Sequence, residues 1–279
     1  ITDADGMVHQ AFSEYVERKI DVLPFDNQSS LTAYAEEYAR IPLDLYGDLC
    51  ECKIISLPDQ SGVLIKLHHI IGDAWTLSLL GNQLNDLLSG GTPTAYSYAK
   101  YIQSESAYLS GKRYEKDKKF FMDQFARCDE ATFLSEKTSA SYASLRKTFV
   151  IDHDKAREIT DYAASVGSSP FMLFTAALAA YINRTKMNAE RFYIGTAVLN
   201  RSSAEEKHTA GMFINTVPVL IELANEMSFG DNLSEIADSL FSVFRHQRFN
   251  YGDLLAALRN ERHFEDKLYD VMISYQNAT

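Results

Sequence analysis

Hydrophobic and polar positions change rhythm several times along the 279-residue chain, and each change marks an element. Between Gly6 and Phe25 apolar residues alternate loosely with polar ones, which predicts extended segments at residues 7–12 and 16–23. Ser29-Ser30 are placed to cap a helix over residues 31–38, and Pro42 stops it. Residues 49–57 and 63–69 read as strands on either side of the turn cluster Pro58-Asp59-Gln60-Ser61-Gly62, a hairpin pattern. Apolar residues then shift to helical spacing (Leu77, Leu80, Leu84, Leu87, Leu88), predicting a helix from Ala74 to Leu88 that Gly90-Gly91 ends. Residues 97–125 read as a long helix with a break at Ser110-Gly111.

Residues 129–144 lose periodicity and gain Ser, Thr and Ala, so they read as a linker between two halves, 1–135 and 136–279. The second half restarts with a strand over 145–151 and a helix from Asp152 or Asp154 to Val166. Ser169 before Pro170 opens a further helix to Ile182, apolar on nearly every side and hence buried. Strands follow at 191–199 and 212–223, separated by a polar loop at 200–209; Pro218 confines the second strand to an edge or a bulge. Helices over 233–249 and 251–258 and a strand over 269–275 complete the pattern. Two halves that each mix strands and helices predict α/β lobes packed side by side.

Composition narrows the function classes. Hydrophobic residues make up 46% and charged residues 23%, ordinary for a globular protein. The net charge of −11 is spread along the chain with no basic stripe, which argues against a nucleic-acid partner. Three cysteines cannot form a disulfide framework; Cys50 and Cys52 flank Glu51 in a predicted strand and so share a face, as core or half-buried thiols. No further ligands stand at metal-site spacing, so neither a metal nor an intrinsic cofactor is expected, and a reducing cytoplasm fits best. The longest apolar stretch, residues 170–182, is too short to span a bilayer. The chain opens Ile1-Thr2-Asp3 without methionine or signal-peptide core, and so reads as a piece of a longer protein.

The candidate chemistry lies in His68-His69-Ile70-Ile71-Gly72-Asp73, between a predicted strand and a predicted helix. An imidazole, with an unperturbed pKa of about 6.5, is the natural proton shuttle near neutral pH. Adjacent residues at a strand end point to opposite faces, so one histidine should look inward and the other into a cleft. Asp73, at the mouth of the helix, can hold the loop through an ion pair or cap the helix. Gly72 lets the backbone turn and approach a substrate. A histidine pair alone is more often a packing feature than a catalytic one; the strand–turn–helix setting reverses that weighting.

The string LHHIIGDAWT (residues 67–76) resembles the HHxxxD motif of condensation domains in nonribosomal peptide synthetases, which belong to the chloramphenicol-acetyltransferase-like superfamily. A second block, Gly211-Met212-Phe213-Ile214-Asn215-Thr216-Val217-Pro218, resembles that family's GxFxNTxP motif. Val271-Met272-Ile273-Ser274-Tyr275-Gln276-Asn277 is similar to a third block, His246-Gln247 lies where members carry an HQ pair, and Tyr96-Ser97-Tyr98-Ala99 matches weakly. Ala74 stands where the family usually has glycine. The family's SxAQ-type and RHE-type opening segments are missing and members continue beyond Tyr275, so the resemblance is to a central fragment lacking both ends.

The resemblance implies an α/β fold of two acetyltransferase-like lobes, each a mixed sheet flanked by helices, forming a V with a central tunnel. It implies amide-bond formation between a donor aminoacyl or peptidyl thioester and an acceptor aminoacyl thioester. Both substrates ride on the phosphopantetheine arms of upstream and downstream peptidyl carrier domains, with an adenylation domain as neighbour. His69 would orient the acceptor amine or act as its general base, and the Gly72 N–H or the imidazole would stabilise an oxyanion. His68 would be structural, and Asp73 would hold the loop through an arginine, either Arg201 or one upstream of Ile1. Asn215, Trp75 and Met212 are the candidate tunnel residues; a structural strand asparagine and a packing indole are the plainer readings of the first two. Two alternatives share the motif: a stand-alone acyltransferase using acyl-CoA, and a non-catalytic recruitment domain. Such recruitment domains tend to lose the second histidine, which is present here. An epimerisation domain fits the NTVP block less well, and a cyclisation domain would carry aspartates in place of the histidines.

Overall fold

The computed structural model describes residues 12, 14, 16, 17, 19–129, 134, 144–185 and 189–276. The chain forms two compact units, Ile1–Tyr96 with His208–Met212, and Ser97–Lys207 with Phe213–Thr279. The units divide at Tyr96/Ser97 rather than at residues 135/136. The reason is packing: Phe121, Met122 and Phe125, which the sequence pattern assigned to the first half, join the hydrophobic core of the second unit.

The first unit contains β1 (Val22–Pro24), α1 (Gln28–Arg40), β2 (Cys50–Ser56), β3 (Ser61–Leu67) and α2 (Ala74–Leu88). Its sheet runs in the order β1-β2-β3, with β1 parallel to β2 and a β2–β3 hairpin in which Ser56 faces Ser61 and Cys50 faces Leu67. The α1 cap is Asn27, whose side chain accepts from the Ser30 N–H at 3.0 Å, so the helix starts one turn earlier than the serines suggested. Asn27 outcompetes the serines because its carboxamide reaches the third helical amide. Cys50 and Cys52 do share a face, but it is an exposed one, contrary to the expected core or half-buried thiols. On β2 only Ile55 is fully buried.

The second unit holds α3 (Tyr98–Leu109), α4 (Lys112–Phe125), α5 (His153–Ser165), α6 (Pro170–Thr185), β4 (Arg191–Val198), α7 (Ala204–Lys207), β5 (Asn215–Glu222), α8 (Phe229–Arg245), α9 (Tyr251–Arg262) and β6 (Met272–Ile273). The break at Ser110-Gly111 separates α3 from α4, Asp152 caps α5 and Ser169 precedes α6. Strand order is β5-β4-β6, with β4 antiparallel to β5 and parallel to β6. Pro218 sits on edge strand β5 opposite Gly195, where its missing N–H costs no ladder bond on the outer side. Nearly every residue of β4 and β5 is buried, because Ile182 of α6, Leu240 and Val243 of α8, Phe121 of α4 and Leu258 of α9 all join their core.

Three expected strands differ. Residues 145–151 form no strand, and Leu145 is 98% exposed; β-propensity is realised only against a neighbouring strand, and the described residues supply none there. The last strand shrinks to Met272–Ile273, the two positions that pair with β4. In the first unit, pairing begins only at Val22, and the segment expected at 7–12 lies outside the described residues but for Phe12. Most of the 129–144 linker is likewise outside them. Among the described residues no single helix is long and apolar enough to cross a membrane.

Candidate active site

Strand β3 ends at Leu67, so both histidines belong to the turn that follows rather than to the strand. The backbone N–H of His68 still donates to the Leu49 carbonyl at 2.8 Å, which anchors the start of the turn to the hairpin. Ile71 N–H donates to the His68 carbonyl at 3.1 Å and closes the turn. The half-buried His68 ring is used locally: its Nδ1 accepts from the Ile70 N–H at 3.1 Å, which puts the ring proton on Nε2. His69 is exposed at the crest, and Ile70 beside it is exposed as well. One histidine is thus spent on the turn and the other is presented outward.

Gly72 is buried, and its requirement is spatial. A Cβ there would lie 2.4 Å from Leu67 Cδ2 and 3.1 Å from Thr76 Cγ2. The positive-φ glycines among the described residues are Gly90 and Gly167, so Gly72 is not held for left-handed backbone.

Asp73 is 3% exposed and caps α2. Its Oδ1 accepts from the Thr76 N–H at 2.9 Å and lies 3.0 Å from the Thr76 hydroxyl. Of the two roles open to this carboxylate, helix capping is therefore present. The Thr76 hydroxyl also lies 2.8 Å from the Gly211 carbonyl and accepts from the Gly211 N–H at 3.0 Å. Its single proton goes to one acceptor at a time, so the Gly211 carbonyl and Asp73 Oδ1 share it. The HHxxxD turn and the GxFxNTxP block thus meet at one buried threonine, 2% exposed. Sequence reasoning passed over Thr76, although its place three residues after an N-cap aspartate was a readable signal.

Trp75 is exposed on the first turn of α2, and Met212 is half-buried. Arg201 is buried in the second unit; its guanidinium donates to the Glu206 carbonyl at 2.5 Å and stacks 3.8 Å from the centre of the Phe213 ring. Phe213 is flanked in turn by Tyr101 at 4.2 Å and Tyr98 at 5.4 Å. Burial pushes the Glu206 carboxyl up, but hydrogen bonds from the Ser203 N–H and from Ser202 outweigh it and hold the group below the usual range. Asn215 opens β5 with its side chain turned onto backbone: its amide donates to the carbonyls of Gln247 and Phe249, both at 2.8 Å. These bonds tie the start of β5 to the turn at residues 247–249. The pattern gave no sign of these partners, because they lie beyond a helix.

Among the described residues no three His, Cys, Asp or Glu side chains gather as a metal site. What the turn offers chemically is one exposed imidazole, able to orient an amine or take its proton.

An α/β arrangement of mixed sheets and helices carrying HHxxxD between strand and helix defines the class, and comparison with known proteins agrees. The family model described as "Condensation domain" matches residues 1–279, and the chain belongs to the condensation-domain family. Surfactin synthase subunit 1 of Bacillus subtilis (strain 168) is 28% identical over 291 residues, covering 98% of this chain and 8% of that protein. Among solved structures, the first condensation domain of the calcium-dependent antibiotic synthetase, in complex with substrate analogue 2a, aligns with a TM-score of 0.79 at 18% identity. That alignment covers 98% of this chain and 66% of the other. The starter condensation domain of rhizomide synthetase RzmA (a point mutant, in complex with C8-CoA) aligns with a TM-score of 0.78 at 22% identity, covering 98% and 64%. The chain therefore spans just under two thirds of these solved relatives and a small part of the synthetase subunit.

Proposed function

We propose that this chain is the core of a condensation domain that joins two carrier-bound substrates through an amide bond in nonribosomal peptide synthesis. The reading is supported above all by the geometry of one turn. His69 is presented outward on a segment whose start is anchored by the His68–Leu49 bond and whose end is fixed by the Asp73–Thr76–Gly211 cap. In this reading the chain contributes to the two lobes of a V, with the tunnel between them and Asn215, Trp75 and Met212 near its walls.

The chemistry follows from the groups. The acceptor amine has a pKa near 8, roughly the α-amino value, so a minor but useful fraction is neutral at pH 7. Its nitrogen attacks the donor thioester carbonyl and the C–N bond forms. The tetrahedral oxyanion collapses, the C–S bond breaks and the donor's pantetheine leaves as thiolate. His69 orients the amine or accepts the proton it loses and can return that proton to the thiolate. The partners are upstream and downstream carrier domains with a neighbouring adenylation domain.

A second reading, acyl-CoA in place of the donor carrier, is favoured by the C8-CoA bound to the rhizomide relative. The two separate in one assay on the full-length protein, with the donor acyl group offered either on its carrier or as acyl-CoA. Amide product from the carrier-bound donor alone supports the leading reading; product from acyl-CoA alone replaces it with the second.

A further inference from the structure

Asp117, in the middle of α4, is 1% exposed. A carboxylate at that depth is tolerable only with donors on its oxygens, and this one is surrounded by them. Arg113, one turn earlier, donates Nε to Oδ1 at 2.9 Å and to Oδ2 at 3.1 Å. The Tyr108 hydroxyl donates to Oδ2 at 3.0 Å, and His246 Nδ1 lies 2.7 Å from Oδ1. Because an ionised carboxylate only accepts, His246 must carry its proton on Nδ1. Burial and the Asp117 carboxylate raise the Tyr108 phenol above its ordinary range, which keeps it a donor. The His246 ring is also held flat, stacked on Phe120 at 4.0 Å and 12°.

His246 starts the turn between α8 and α9, and the same turn is gripped from another side. The carbonyls of Gln247 and Phe249 take the two N–H bonds of Asn215, while Phe249 N–H returns to the His246 carbonyl at 3.2 Å. Arg248, between them, donates to Ser104 Oγ at 3.0 Å and lies over the Tyr108 ring at 4.8 Å. The pair His246-Gln247, marked in the sequence but given no role, thus ties the turn to α4 on one side and to Asn215 on the other.

We infer that Asp117 and His246 form a positioning pair: by fixing the 246–249 turn they fix Asn215 and the start of β5. Neither side chain touches the reacting groups in this scheme. The inference rests on the proposed condensation reading, in which Asn215 stands near the substrate tunnel.

The test uses the full-length protein with both carriers loaded. His246→Asn keeps an N–H donor where Nδ1 stands, whereas His246→Phe keeps the ring on Phe120 and removes the donor. The expected result is a tenfold or greater fall in the maximal rate of amide formation for His246→Phe. The carrier concentration at half-saturation should stay within twofold, and His246→Asn should recover to within threefold of wild type. Wild-type rates for His246→Phe, equal losses in both variants, or a loss confined to half-saturation would each overturn the pairing. Should His246→Phe fail to fold, Tyr108→Phe removes one neutral donor from Asp117; a rate lowered about threefold at unchanged half-saturation supports the pair, and an unchanged rate overturns it. A His69→Ala control keeps the two claims apart: wild-type turnover in that control removes the reading itself, while its loss beside an unaffected His246→Phe removes only the pair.

Discussion

Replacing Thr76 by valine keeps the β-branched shape of a side chain that is 2% exposed and exchanges its hydroxyl for a methyl group. That oxygen accepts from the Gly211 N–H at 3.0 Å, and its proton is shared between the Gly211 carbonyl at 2.8 Å and Asp73 Oδ1 at 3.0 Å. The substitution leaves a buried N–H without this acceptor and removes one donated bond. Orphaning the donor costs about 1–3 kcal/mol and losing the bond about 1 kcal/mol. The added methyl returns about 0.8 kcal/mol. A net cost of about 2 kcal/mol corresponds to roughly a 30-fold shift in the local opening equilibrium, at 1.36 kcal/mol per factor of ten. Amide hydrogen exchange followed by mass spectrometry reads that equilibrium at Gly211 whatever the length of the polypeptide. Thr76→Val should therefore speed exchange at the Gly211 amide about 30-fold. Thr76→Ser, which loses a methyl group but keeps the hydroxyl, should change it by no more than about fivefold. Equal protection at Gly211 in both variants would refute the claim that this hydroxyl joins the two motifs.

Two further predictions lie away from the turn. A Cβ on Gly195 would fall 2.1 Å from Tyr269 Cε2 and 2.5 Å from Cζ, in a ring that itself packs against Tyr251 at 5.1 Å, tilted by 33°. Gly195→Ala should lower the melting temperature by about 6–12 °C, taking roughly 3 kcal/mol for overpacking at 2–4 °C per kcal/mol; adding Tyr269→Ala should cost less than the sum of the two changes, and simple additivity would count against the clash. Cys50 lies on an exposed face, yet partial desolvation of its sulfur, followed by neighbouring Cys52, pushes the thiol up to about 11. A raised thiol pKa means little thiolate at neutral pH, so the rate of iodoacetamide labelling at Cys50 should climb about tenfold per pH unit from 7.5 to 10 without levelling; a plateau near pH 9 would contradict the shift.

Much of the fold was legible because its signals are local. The β2–β3 hairpin, the helix from Ala74 to Leu88, the break at Ser110-Gly111 and the Ser169-Pro170 helix start all depend on residues a few positions apart. What escaped depends on distant partners. Residues 145–151 carry a strand's composition, yet no described strand lies alongside them. Cys50 and Cys52 alternate correctly but face outward, because alternation says which residues share a face and not which face is covered. The site divides in the same way. His68, His69, Gly72 and Asp73 were found from contiguous spacing, whereas the Thr76–Gly211 bonds span 135 residues and the Asn215 bonds to Gln247 and Phe249 span 32 and 34. Gly72 was chosen for a conformational reason and is required for a spatial one, a distinction visible only once Leu67 and Thr76 are in place.

The central claim is that the outward imidazole of His69 serves the reaction while His68 serves the turn. Single-turnover formation of the amide product between two loaded carriers, measured by intact-protein mass spectrometry, tests it with His69→Ala and His68→Asn in the full-length protein. His68→Asn leaves a side-chain acceptor for the Ile70 N–H and should retain turnover within about fivefold, the loss of one weakened hydrogen bond of about 1 kcal/mol. His69→Ala should reduce turnover by at least about a hundredfold, the usual scale for a general acid–base group. Undiminished product from His69→Ala would contradict the account.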